Sequence, residues 1–90
     1  MKYYNVYSEI TSMDYPNNKK KMCHMTCVFA DSVKDAKYVA RDRIMSHGYF
    51  VLRMGIEKSK TAIKICEDNK NQQIASFTTW EEIDRYFGKA

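Results

Sequence analysis

Glycine and proline are scarce in this 90-residue sequence, which contains three glycines and one proline. The glycines stand alone at Gly48, Gly55 and Gly88, so the chain has no glycine-rich loop of the type that binds phosphate groups. Long apolar stretches are missing too, because uncharged runs such as residues 22–30 are far shorter than the roughly 20 residues of a membrane-spanning helix. The N-terminus carries no apolar block, and we therefore expect neither a signal peptide nor a membrane partner.

The chain also lacks an even number of cysteines, since it has three. An odd number cannot form the closed disulfide framework that stabilises many small secreted domains. We therefore expect reduced thiols and a cytoplasmic location, which is the host cytoplasm if the protein is encoded by a phage.

The composition favours one compact unit. At 44% hydrophobic and 29% charged, the chain is too apolar to be disordered, and its length is enough for one core. We expect a single α+β domain over residues 1–90. The net charge of +4 favours solubility and acidic partners, but an excess this small identifies no partner.

Two helices are predicted from capping residues and helical periodicity. Ser32 is placed to cap a helix over residues 32–48, in which apolar residues recur at three- and four-residue spacing. Thr79 is placed to cap a second helix over residues 78–88, which ends at Gly88.

Alternating apolar and polar residues predict the strands. The predicted order of elements is β-β-α-β-β-β-α, which indicates an antiparallel-rich sheet with both helices on one face. The five predicted strands cover residues 2–10, 20–30, 49–58, 61–67 and 73–77.

The stretch MCHMTC, residues 22–27, raises the question of a metal or redox site. On a strand that advances about 3.3 Å per residue, Cys23 and Cys27 lie about 13 Å apart on one face, with His24 on the other. Two sulfurs that share a zinc ion lie much closer, since each Zn–S bond is about 2.3 Å. Cys66 is expected on the opposite face of the sheet from Cys23. We interpret the stretch as a core strand and expect neither a metal nor a cofactor.

Catalytic groups are sparse as well. The histidines are His24, in the middle of a predicted strand, and His47, at a predicted helix end. A Cys66–His24 pair across one face of the sheet stays open as a nucleophile and base. The acidic residues are scattered or placed at helix caps, and we expect the protein not to be an enzyme.

The sheet face opposite the helices is the main candidate surface. We expect the helices to cover the face that carries Cys23, Phe29 and Ile65, which leaves a face rich in tyrosine. Tyrosine and arginine are frequent anchors of protein interfaces, although a solvated face whose tyrosines simply favour strands is the alternative. A register slip of one residue would exchange the two faces. The predicted partner-binding residues are Tyr3, Asn5, Tyr7, His24, Tyr49, Arg53 and Lys64.

Basic residues give a second candidate surface. A lysine-rich hairpin end and a basic stripe on the first helix, together with the tyrosine face, would suit a nucleic-acid-binding module. The predicted nucleic-acid-binding residues are Lys19, Lys20, Lys21, Lys34, Lys37 and Arg41.

The sequence therefore favours a small non-catalytic protein that acts by occupying a surface of a larger protein. Short chains without catalytic motifs are typical of phage and mobile-element inhibitors of host defence, such as anti-CRISPR proteins. The expected partner is then a nuclease or another nucleic-acid-processing complex, and nucleic acid is the alternative ligand. A homodimer is also compatible with exposed strand edges.

Overall fold

The computed structural model describes residues 1–12, 20–70, 73–74 and 79–88. The chain is an α+β protein, as predicted, with three antiparallel strands at the centre of its sheet. The elements are β1 (Lys2–Ser12), β2 (Lys21–Ala30), α1 (Val33–Ser46), β3 (Tyr49–Ile56), α2 (Lys60–Asp68), β4 (Gln73–Ile74) and α3 (Trp80–Phe87).

The central strand of the sheet is β1, which pairs antiparallel with β2 on one side and β3 on the other. The two-residue strand β4 adds in parallel to the outer side of β2, giving the order β3-β1-β2-β4. The predicted order of five strands and two helices is therefore wrong. Residues 61–67 lie in helix α2. Of the predicted strand at 73–77, the structure describes Gln73–Ile74, which form β4, and residues 75–77 lie outside the described part.

Helix α2 forms where alternation predicted a strand. Ser59 caps it, since its side chain accepts a hydrogen bond from the Ala62 amide. Ala62 and Ile65 are buried at a spacing of three residues, and Asn69 follows four residues later and is buried too. Because Ile65 belongs equally to an alternating and a helical pattern, a short segment of this kind is ambiguous until its cap is considered.

The two predicted helices, α1 and α3, share one face of the sheet, as predicted, whereas the helix that was not predicted, α2, lies on the other face. The core face of the sheet packs on α1 through Ala36 and Ala40, and on α3 through Ile83 and Phe87. Its own strand residues are Val6, Ile10, Met22, Val28, Ala30, Tyr49, Val51, Met54 and Ile56. Helix α2 packs on the opposite face, here called the α2 face.

A β-bulge in β3 decides which of its side chains join the core. Glu9 pairs with Arg53 and Ile10 with Val51, so that Leu52 is the extra residue. The extra residue reverses the alternation, because two residues of the bulged strand oppose one on the partner. Tyr49 and Arg53 therefore lie on opposite faces, although simple alternation would place them together.

Gly55 lets α2 approach the sheet closely. A Cβ atom at this position would lie 2.7 Å from the Ala62 amide nitrogen and 2.8 Å from the Ser59 hydroxyl oxygen. The N-terminal turn of α2 therefore rests directly on the backbone of β3. None of the described helices is long and apolar enough to cross a membrane.

Candidate functional site

The α2 face is only partly covered by its helix. Helix α2 has its main sheet contacts with β3 and β1, so none of the helices in the described part of the chain covers the adjoining part of β1 and β2. We call this uncovered part the open face, and it consists of Tyr3, Asn5, Tyr7, Met25, Cys27 and Phe29. Antiparallel register sets these residues in three rows, Tyr3 with Phe29, Asn5 with Cys27 and Tyr7 with Met25.

Two exposed aromatic rings stack at one end of the open face. The rings of Tyr3 and Phe29 have centroids 4.7 Å apart and an interplanar angle of 29°. Tyr3 is 73% exposed and Phe29 is 51% exposed. The contact is local, since directly opposite residues of an antiparallel pair bring their side chains together. The outer surfaces of both rings remain available to a partner.

A cavity of about 360 Å³ lies at the other end of the open face. Tyr7 contributes to it from β1, and Ala62, Ile63 and Cys66 contribute from α2. Burial, followed by the nearby Glu57 carboxylate, raises the pKa of Tyr7 above its usual value. The tyrosine hydroxyl therefore stays protonated at neutral pH and can donate or accept a hydrogen bond.

Charged residues of both signs surround the cavity. Glu57, Lys58 and Glu67 also line it. The Glu57 carboxylate accepts a 2.8 Å hydrogen bond from the Asn5 side-chain amide, so Asn5 joins the open face to the cavity rim. Two carboxylates at the rim disfavour a phosphate group and suit a partner that presents apolar and mixed polar groups.

Arg53 lies on the α2 face, but it is engaged in an internal network. Its guanidinium donates to both oxygens of the buried Glu9 carboxylate, at 3.0 and 2.9 Å. It also pairs with Asp68, which pairs with Lys64 in turn. The side-chain amide of Asn69 donates to Glu9 at 2.7 Å. Arg53 therefore fixes α2 on the sheet, and Lys64 lies on α2 rather than on a strand.

His24 and Tyr49 do not lie on the open face. Both are on the core face, where His24 is buried and Tyr49 is fully buried. Tyr49 donates a hydrogen bond to Asp84 of α3. Their grouping with Tyr3 and Tyr7 is wrong, because the core face of β2 carries His24 rather than Cys23 and because the bulge reverses β3. The expectation that Phe29 belongs to the covered face is wrong for the same reason.

Those predicted basic residues that the structure describes do not form one continuous surface. Lys20 donates to the Tyr86 carbonyl oxygen at 3.1 Å, and its ammonium lies over the Tyr86 ring. Lys21 is exposed at the start of β2, and Lys19 lies outside the described residues. The stripe of Lys34, Lys37 and Arg41 is on α1, which begins beyond the other end of β2. The nine residue steps of β2 separate its ends by about 30 Å.

The cysteines are reduced and lie on the α2 side of the sheet. Cys23 is buried under α2, Cys27 is exposed on the open face, and Cys66 is half-buried on α2. The Sγ atoms of Cys23 and Cys66 are 3.9 Å apart, which corrects the expectation that Cys66 faces away from Cys23. Within residues 1–12, 20–70 and 79–88, no group of three or more His, Cys, Asp or Glu residues is placed to hold a metal ion.

A Cys66–His24 pair, left open by the sequence, is not formed. Cys66 lies on the α2 side of the sheet and His24 on the core side, so the sheet separates them. Ser8 is the direct cross-strand partner of His24, but both are buried and have no access to a substrate. Cys66 and His24 therefore cannot act together as a nucleophile and base.

Sequence reasoning found Tyr3, Asn5 and Tyr7 as residues of one face, and their role in binding stays a prediction. It missed the open-face residues of β2 and the cavity wall on α2. The cap at Ser59 was the available signal for α2, and pairing Tyr3 with Phe29 would have required the register of the hairpin.

The chain matches no protein-family model, no curated protein and no solved structure. The geometry of the open face and its cavity is therefore the basis for a functional proposal.

Proposed function

We propose that this is a non-catalytic binding protein that docks on a larger protein through the open face. The observation that supports the proposal best is the stacked and exposed Tyr3–Phe29 pair on the same face as an apolar cavity. Aromatic side chains are enriched among interface anchors, because they bury a large area at a small cost in side-chain entropy.

The open face is continuous enough to act as one docking surface. Tyr3, Asn5 and Tyr7 alternate along the same face of β1, which places Tyr3 about 13 Å from Tyr7. Cys27 and Met25 fill the neighbouring positions on β2. The stacked rings offer a flat apolar contact at one end, and the cavity accepts a protruding apolar side chain of the partner at the other.

The charges around the cavity favour a protein over nucleic acid as the partner. Glu57, Lys58 and Glu67 all line the apolar cavity, so both signs of charge are present there. A nucleic-acid surface concentrates positive charge, because affinity for phosphate depends on neutralising it. Mixed charge at the rim of an apolar centre is instead the common arrangement of protein–protein interfaces.

The class of partner is proposed by analogy with other short chains that lack catalytic motifs. Proteins of phages and mobile elements that inhibit host defence, such as anti-CRISPR proteins, commonly work by covering a functional surface. We therefore place a nuclease or another nucleic-acid-processing complex first among candidate partners. The basic net charge of +4 argues against mimicry of nucleic acid, which requires an acidic surface.

A second candidate function is nucleic-acid binding by α1. Lys34 and Arg41 are exposed, and the neighbouring Tyr38 is 72% exposed. An exposed aromatic ring between basic side chains is typical of surfaces that stack unpaired bases. This surface lies on the opposite side of the sheet from the open face, so separate variants test the two candidates.

The test is affinity capture from host lysate with the tagged protein and two matched variants. Wild-type protein is expected to retain a stoichiometric protein that survives nuclease treatment. The double variant Tyr3→Ala/Phe29→Ala is expected to lose that protein, because both rings of the stacked pair are removed. Tyr38→Ala removes an equally exposed tyrosine from α1 and is expected to retain it.

Retention of the same protein by Tyr3→Ala/Phe29→Ala, with normal folding by circular dichroism, would show that the open face is not the docking surface. Material that disappears with nuclease, and is lost in Tyr38→Ala, would instead support the nucleic-acid candidate.

A further inference from the structure

We propose that Cys23 and Cys66 form a modification site, at which a disulfide-class oxidant such as oxidised glutathione links them covalently. The two Sγ atoms are already 3.9 Å apart and belong to different elements, β2 and α2. A disulfide bond is about 2.05 Å long, so the sulfurs need to approach by roughly 2 Å. This inference is independent of the proposed partner.

The two thiols have different access to an oxidant. Cys23 is 1% exposed, whereas Cys66 is half-buried and lines the cavity beside α2. Burial raises the pKa of the Cys23 thiol well above its usual value, and the neighbouring Cys66 and Glu9 raise it further. Since the thiolate is the reactive form, Cys66 reacts first and Cys23 second.

The reaction proceeds in two exchange steps. In the first step, the Cys66 thiolate attacks oxidised glutathione, the glutathione disulfide bond breaks, and one glutathione thiolate leaves. In the second step, the Cys23 sulfur attacks the Cys66 sulfur of the mixed disulfide and releases the second glutathione, which takes up the Cys23 proton. Two protein thiols are oxidised to one disulfide, and one oxidised glutathione is reduced to two thiols.

The crosslink would join elements that are distant along the chain. Cys23 and Cys66 are 43 positions apart in the sequence, so the bond closes a long loop in the unfolded chain. Constraining the unfolded chain in this way stabilises the folded protein, and the effect grows with loop length. The bond would also fix α2, which forms one wall of the cavity, to β2.

The test uses Cys27→Ser protein, which keeps the pair and removes the exposed third thiol. Under native conditions with oxidised glutathione, its mass is expected to fall by about 2 Da with no glutathione retained, and Tm to rise by at least about 10 °C. Both changes should reverse with a reductant.

Two control variants separate the steps. Cys23→Ala/Cys27→Ser is expected to keep one glutathione on Cys66, because the second thiol is absent. Cys66→Ser/Cys27→Ser is expected to react slowly, because Cys23 is buried. The proposal is overturned if Cys27→Ser protein stops at the mixed disulfide, or keeps both thiols under conditions in which Cys23→Ala/Cys27→Ser is fully modified at Cys66.

Discussion

Replacing Arg53 with alanine is expected to lower the free energy of unfolding by about 3 kcal/mol at neutral pH. Arg53 donates two hydrogen bonds to the Glu9 carboxylate, whose side chain is only 7% exposed. Without the guanidinium, Glu9 keeps the hydrogen bond from Asn69 but loses its opposite charge. The expected cost is at the lower end for a broken buried ion pair, because the Arg53 side chain is itself 32% exposed.

Denaturant unfolding of Arg53→Ala, Lys64→Ala and the wild type measures this effect. Lys64→Ala is the matched control, since it removes an exposed i,i+4 ion pair with Asp68 and is expected to cost less than about 0.5 kcal/mol. A double variant Glu9→Gln/Arg53→Ala is expected to be less destabilised than the sum of the two single variants, because no uncompensated charge remains. Equal costs for Arg53→Ala and Lys64→Ala would show that the network does not hold α2 on the sheet.

Lowering the pH from 7 to 4.5 is expected to cost about 2.5 kcal/mol of stability through His24 alone. Burial, followed by repulsion from His47, lowers the pKa of His24 to about 4. Between that value and the ordinary one near 6.5, the unfolded chain binds a proton that the folded protein does not. The contribution of neutral His24 to the free energy of unfolding is therefore complete above about pH 6.5 and is lost as the pH falls toward 4.

The measurement is the free energy of unfolding of the wild type, His24→Gln and His47→Gln between pH 7 and 4.5. His24→Gln is expected to be less stable at pH 7 but to lose little more on acidification. His47→Gln removes an exposed ring that stacks on Trp80 and is expected to retain most of the wild-type pH dependence. A wild-type slope in His24→Gln, or an NMR titration of His24 near 6.5 in the folded protein, would contradict this account.

The sequence predicted correctly those elements whose boundaries and apolar spacing are both evident from neighbouring residues. Helix α1 has its cap at Ser32, whose hydroxyl accepts from the Asp35 amide, and α3 begins after Thr79 and ends at Gly88 in the left-handed conformation. In both helices the caps and the spacing of apolar residues agree. The paired strands β1 and β2 were predicted from their alternation, and the structure confirms them.

The errors arose where tertiary contacts decide between equivalent local patterns. The segment around Ile63 and Ile65 alternates for a few residues, but in the structure it is a helix that packs closely on Gly55 of β3. The extra residue Leu52 in the bulge exchanges the faces of the β3 side chains on either side of it, and no residue type in this stretch signals the bulge. Strand β2 has apolar residues on both faces. Cys23 and Phe29 lie on one face and Met22 and Val28 on the other, and the two sets are almost equally apolar, so the sequence does not show which face belongs to the core.

The sequence predicted only part of the open face, because that surface depends on the same tertiary contacts. Tyr3 and Tyr7 share a face in any extended β1, so their grouping needed only the period of a strand. Phe29 joins them through the hairpin register, and the cavity depends on α2, which was not predicted. A surface composed of several elements is therefore less predictable than any one of its strands.

Cys27 provides a native probe of the central claim, because it is exposed in the middle row of the open face. The measurement is its rate of alkylation by iodoacetamide, read by peptide mass spectrometry in the free protein and in the complex with the captured partner. An Asp42→Cys variant supplies a comparison thiol on the exposed side of α1. If the open face is the docking surface, the partner slows alkylation of Cys27 at least tenfold and leaves the α1 thiol unaffected. Unchanged alkylation of Cys27 while the partner remains bound would contradict the proposed function.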